Sequence, residues 1–207
     1  MIKSPAWQRP LATLVLCGAV AVSLQGCVGV ALGGAVVGTL AATDRRTLGA
    51  QTEDKAIIVK GETRMHKLAG DAGHVNVTSF NRKVLLTGEV RDDAMKQAAA
   101  REVSAIEGVQ SVANELEVAG LSSFTSRSND SLITGKVKAS FVDAKDLQAN
   151  SIKVVTERSA VYLIGRVTPQ EGQRAAEVAR GVSDVRKVIK MFEYISDEEL
   201  KQLTSAN

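Results

Sequence analysis

Residues 75–90 read VNVTSFNRKVLLTGEV and residues 152–167 read IKVVTERSAVYLIGRV, one pattern at a constant offset of 77. In each copy a β-branched run, a short polar turn (Asn81 to Lys83; Arg158 to Ala160) and a second apolar run spell a β-hairpin. Gly88 and Gly165 fall at the same interior place of the second strand. A glycine there marks a bulge or a close backbone approach, so these are structural residues before they are functional ones.

Working outward, each hairpin runs into a helical pattern. Ala98, Ala99, Val103 and Ile106 recur at helical spacing in the first copy, as Ala175, Ala176, Ala179 and Val182 do in the second, where Thr168-Pro169 forms an N-cap and first-turn pair. The acids Asp92 and Asp93 open the first of these helices, where the helix dipole favours them. Val109, Val112, Leu116 and Val118 then match Val185, Val188, Phe192 and Tyr194 as a returning strand, at an offset of 76. Ahead of the hairpins, residues 53–68 and 129–147 also read as helices. The order is α, β, β, α, β, twice. A TSRSND stretch (125–130) separates the copies and supplies Asn129 or Asp130 as a cap for the next helix. With so short a linker, the two modules are expected to dock over the faces that each small repeat leaves open.

The N-terminal end is of another kind. Lys3 and Arg9 precede fourteen uncharged residues, Leu11 to Leu24, the length of a signal-peptide core and short of a membrane span. Leu24-Gln25-Gly26-Cys27 closes it and resembles the lipobox of bacterial lipoproteins. The resemblance implies cleavage before Cys27, acylation of its thiol and amine, and sorting to the outer membrane, since Val28 stands where a retention signal would place Asp. On the residues alone an uncleaved anchor helix stays open, because residues 10–43 carry no charge. Residues 28–43 hold four glycines, with GxxxG spacings at Gly29/Gly33 and Gly34/Gly38; they read either as an apolar tether or as a helix packing closely in lipid.

The chain of 207 residues is 44% apolar and 3% aromatic with a formal charge of +3. That composition excludes a disordered chain, and it disfavours nucleic-acid readers, which need aromatic stacking platforms or a polycationic surface. Removal of residues 1–26 takes away Lys3, Arg9 and Cys17, leaving the acylated Cys27 as the last cysteine. Neither a disulfide nor a thiolate nucleophile nor a cysteine metal site is then available. His66 and His74 sit in no HExxH pattern, two isolated histidines do not complete a tetrahedral site, and no GxSxG or P-loop occurs. The expectation is a non-enzyme with no cofactor, no catalytic residue and no metal ligand.

The repeat, with its glycine-bearing hairpin and the Gly108-Val109-x-x-Val112 entry to the last strand, resembles the BON domain. Asp184 replaces that glycine in the second copy. The lipobox, the segments 42–46 and 49–54, and Ser128-Asn129-Asp130 opening the second module make the resemblance one to outer-membrane lipoproteins with two such domains. It implies an α+β fold of two BON domains in tandem, each αββαβ with a small three-stranded sheet packed by two helices. The boundaries read as signal peptide 1–26, acylated Cys27 and tether 27–50, first domain 51–120, linker 121–128, second domain 129–195 and tail 196–207. The tail opens on a possible Ser196 cap followed by Asp197, Glu198 and Glu199, the start of a short helix.

The resemblance further implies a lipid-anchored, periplasm-facing protein that binds anionic phospholipids such as phosphatidylglycerol and cardiolipin through the first helix of its second domain. It implies support of outer-membrane integrity at division sites and a part in the stress response. On that helix Ile133, Val137 and Phe141 share one stripe, while Leu132 and Lys136 share a neighbouring one with Lys138 close by. The expected lipid-binding residues are Leu132, Lys136, Val137 and Lys138. In the family pattern the position of Leu132 carries a Trp, so the apolar wedge is smaller here. The alternative function is an adaptor for outer-membrane assembly proteins, with the bilayer contact left to the acyl chains.

Overall fold

The internal repeat folds twice into one unit. A computed structural model describes residues 44–205 of the chain; Cys27, the signal peptide and the glycine-rich stretch before residue 44 lie outside the described residues. The first module comprises α1 (Leu48–Ala69), β1 (Gly73–Phe80), β2 (Lys83–Val90), α2 (Asp93–Ser104), β3 (Ser111–Asn114) and β4 (Glu117–Val118). The second comprises α3 (Phe124–Asp143), β5 (Ile152–Glu157), β6 (Ala160–Val167), α4 (Pro169–Arg180) and β7 (Lys187–Tyr194), followed by α5 (Asp197–Ser205). Short 3₁₀ turns, Gly70–Ala72 and Ala149–Ser151, lead into β1 and β5.

In each sheet the second hairpin strand is central: β2 lies antiparallel to β1 and parallel to β3, and β6 is placed in the same way between β5 and β7. The second sheet has the expected three strands. The first has four, because the returning strand is broken into β3 and β4, both parallel to β2. The gap falls opposite Thr87 and Gly88, and Gly88 adopts φ 114°, which interrupts the ladder. Asn114 holds the kink, its amide donating to the Lys96 carbonyl of α2 at 2.7 Å while its side-chain oxygen accepts the N–H of the buried Leu116.

Both hairpins turn in two residues, one fewer than the sequence reading. Asn81, Arg82, Arg158 and Ser159 have φ of 48°, 65°, 49° and 63°. Positive φ at both central residues is the type I′ arrangement that suits strand twist. None is glycine, and the left-handed region costs such residues about 1–2 kcal/mol each. A buried carboxylate from the first helix of each module offsets that cost. Asp54 of α1 accepts the backbone N–H groups of Asn81 at 2.7 Å and Arg82 at 2.9 Å. Asp130 of α3 accepts those of Arg158 at 2.9 Å and Ser159 at 2.8 Å.

This duty explains why the first helices start earlier than expected. Asp130 cannot both cap α3 and reach the hairpin from inside it, and the cap is Ser123, which accepts the N–H of Ser126. The helix therefore occupies most of the 121–128 stretch read as linker. In the same way α1 begins at Leu48 behind the Thr47 cap, inside the stretch read as tether. The Thr168 and Ser196 caps agree with the sequence, Thr168 as part of a capping box with Glu171 on α4 and Ser196 on α5, and Asp92, read as an acid favoured by the helix dipole, also caps α2. Asp184 keeps the turn that Gly108 makes in the first module, with φ 69° against 90°.

Each sheet buries one face under its own helices, around Ile57, Leu86 and Val103 in the first module and Ile133, Leu163 and Ala176 in the second. The opposite faces pack on each other through Phe80, Leu85, Tyr162 and Ile164, so the modules dock back to back. The rim is reciprocal: the turn residue Asn81 donates to Glu193 on β7, and the turn residue Arg158 pairs with Glu117 on β4.

A side chain at either repeat glycine has no room. A Cβ on Gly88 would lie 1.9 Å from the His74 carbonyl oxygen, and one on Gly165 would lie 2.3 Å from that of Ser151. Gly88→Ala and Gly165→Ala should each lower stability by at least about 2 kcal/mol, as read by denaturant unfolding followed by circular dichroism.

Candidate functional site

The helix to which the family resemblance assigns lipid contact, α3, presents its residues unequally. Ile133, Val137 and Phe141 lie in the core of the second module, Val137 with 0% of its surface exposed. Val137 is therefore corrected from a lipid-contacting to a core residue: the stripe it shares with Ile133 and Phe141 packs on the sheet. Leu132 is 64% exposed, and Lys136, one turn further on the same stripe, is exposed as well. Lys136 extends toward the turn before β7, donating to Asp184 at 2.8 Å and Ser183 at 3.0 Å. The Asp184 carboxylate is held below its ordinary range by that hydrogen bond and by the ammonium charge. Lys138 does not join this patch. Residues two apart on a helix face different ways, and its charge is felt instead by Lys153 on β5, whose ammonium is pushed down by burial and by the cations Arg46 and Lys138.

The residues that sequence reasoning missed lie at the seam between the modules. Arg45 donates two bonds to Glu171 at 2.6 and 2.8 Å and one to the Arg166 carbonyl, and Arg166 returns one to the Arg45 carbonyl. Arg46 forks onto Asp44, reaches Asp54 at 2.8 Å and lies 4.3 Å over the Phe80 ring. Residues 44–46, read as tether, are thus a strap whose first arginine grips the second module and whose second grips the first. The signal available was an Asp-Arg-Arg run at the end of an uncharged stretch. The two turn-capping aspartates were also legible, as carboxylates three residues before Ile57 and Ile133 on otherwise apolar stripes.

A third cluster sits under the seam. His74 and Glu89 face each other across the β1–β2 ladder, with Nδ1 3.5 Å from a carboxylate oxygen. Glu157, at the end of β5, accepts from Asn76 at 2.8 Å. Arg158 approaches Glu89 at 3.3 Å. No helix among the described residues is long and apolar enough to cross a membrane.

The BON domain model matches residues 53–120 and 129–196, the stretches that hold the two repeated units. The chain belongs to the BON-domain family, with two domains in tandem. It is similar to the outer membrane lipoprotein DolP of Haemophilus influenzae, with 39% identity over 90% of this chain and 97% of that protein. It is also 33% identical to the 21 kDa hemolysin of Actinobacillus pleuropneumoniae, over 73% of this chain and 79% of that one. The osmotically-inducible protein Y of Escherichia coli matches at 29% identity over 55% of this chain and 58% of its own length. The chain is thus a DolP-like protein with two BON domains.

The Asp54 carboxylate ties these parts together and has a consequence in acid. Burial opposes its ionisation, but the Ser79 hydroxyl, the Arg82 and Asn81 N–H groups and Arg46 together hold it below the ordinary value of 3.8. A carboxylate lowered on folding stabilises the fold above its unfolded pKa and loses that contribution as pH falls toward the folded one. Asp54→Asn should lower stability at pH 7 by about 2–3 kcal/mol and flatten the loss of stability of the wild type below about pH 4, as measured by thermal melts across pH.

Proposed function

We propose that this protein is a non-catalytic outer-membrane lipoprotein, held by acyl chains on Cys27, whose modules face the periplasm and bind anionic phospholipid through the Leu132–Lys136 stripe of α3. Phosphatidylglycerol and cardiolipin are the ligands, and the role is support of outer-membrane integrity at division sites. The observation that carries this reading is the exposure of Leu132 one turn before Lys136, on the first helix of the second module. The similarity to an outer membrane lipoprotein supports the location.

The interaction is weak by itself. A lysine near an anionic leaflet contributes about 1 kcal/mol, and Asp184 offsets part of that for Lys136. Burial of Leu132 adds about 1–2 kcal/mol. Tethering at the membrane raises the effective concentration and makes such a contact effective.

Two experiments test the reading. Palmitate labelling of cells should mark a membrane-bound band that vanishes in Cys27→Ala. A non-acylated chain of residues 28–207 should bind vesicles of phosphatidylglycerol over phosphatidylcholine. Leu132→Glu should reduce that binding at least tenfold, while Leu132→Trp and Asp184→Asn should strengthen it. Binding that survives Leu132→Glu combined with Lys136→Glu would refute the lipid site. Absence of vesicle binding with cross-links to outer-membrane assembly proteins retained would favour the adaptor reading.

A further inference from the structure

The cluster under the seam has the chemistry of a metal centre. We propose that His74, Glu89 and Glu157 bind one divalent transition-metal ion of the zinc class, which joins the two modules. One ligand atom from each residue lies within 4.8 Å of the others. Two ligands come from paired positions on adjacent strands of the first module, and the third comes from β5 of the second.

Four observations point to a cation. His74 Nδ1 is closed off from solvent and has no hydrogen-bond partner, although its side chain as a whole is 27% exposed. A nitrogen lone pair in that position is what a metal takes. Glu89 is 0% exposed and Glu157 is buried. Two buried carboxylates side by side are unstable unless a positive charge compensates them. Arg158, which pairs with Glu89, is shared with Glu117. Lastly, a solvent-open cavity of about 230 Å³, bounded by His74, Asn76, Arg127, Asp130, Thr134 and Glu157, reaches two of the three ligands and gives an ion a way in.

The donor set selects the ion class. Calcium and magnesium require six or more oxygens, whereas one imidazole and two carboxylates suit zinc, with the fourth position open to water. Tetrahedral ligation draws donor atoms to about 3.3 Å from one another, so the side chains need move inward by about 1.5 Å or less. Asn76 and the Ser122 hydroxyl, which donates to Glu89 at 3.3 Å, are placed to orient the carboxylates. This site is independent of the lipid contact on α3.

The test uses the full acylated protein in detergent, stripped with chelator and titrated with zinc chloride by calorimetry and by thermal melting. One equivalent should bind per chain and raise the melting midpoint, with magnesium chloride at the same concentration inactive. His74→Gln and Glu157→Gln should each weaken zinc binding at least tenfold and abolish the shift. His66→Gln, on an exposed histidine outside the cluster, should do neither. Cobalt(II) in place of zinc should give the weak absorption of nitrogen and oxygen ligation. No bound zinc, equal binding by wild type and His74→Gln, equal loss in His66→Gln, or the strong charge-transfer band of a thiolate would each overturn the site. Because His74 is partly exposed, its variant provides the reading even if Glu157→Gln does not fold.

Discussion

A carboxylate inside the first helix of each module, bonded to two backbone N–H groups of a hairpin turn, is the constraint on which the rest depends. Asp54 and Asp130 hold four non-glycine residues in the left-handed region and lock the helix over the hairpin in one register. With the register fixed, alternation along β1, β2, β5 and β6 sends Val77, Leu86, Val154 and Leu163 beneath the helices and Phe80, Leu85, Tyr162 and Ile164 outward. A slip of one residue would exchange the two faces. The docking of the modules is thus a consequence of the same two side chains that form the turns.

Docking in turn decides which polar groups meet. The turn residues Asn81 and Arg158 reach the last strand of the opposite module, so each hairpin tip serves both its own fold and the joint. Glu157 is brought near His74 by the same packing, which no property of either module alone would achieve. On the outer side, α3 exposes Leu132 and Lys136 to solvent. Its stripe around Leu132 is available while its core stripe is committed to the sheet.

The amount of this that was legible in the sequence follows from range. The repeat, the hairpins, the caps at Thr168 and Ser196, and the structural role of Gly88 and Gly165 are local patterns and could be read directly. The helix starts at Leu48 and Phe124 could not, because they are set by the distance from Asp54 and Asp130 to turns some 28 residues away. The split of the returning strand depends on the φ of one glycine in a neighbouring strand. Within the candidate site, the exposure of Leu132 and Lys136 was readable from helical spacing, and the same spacing should have excluded Val137, which shares its stripe with Ile133 and Phe141. The pairing of His74 with Glu89 and Glu157 was hidden, since it joins a ladder partner to a residue of the other module.

The strap of Asp44, Arg45 and Arg46 bears on how the molecule carries force. It is the point at which the chain enters the folded body, and its two arginines engage different modules. Any pull arriving from the N-terminal side is therefore divided between the modules at their joint rather than delivered to α1 alone. Tension meets the Arg45–Glu171 pair on the second module and then the Arg46 contacts on the first before it reaches α1.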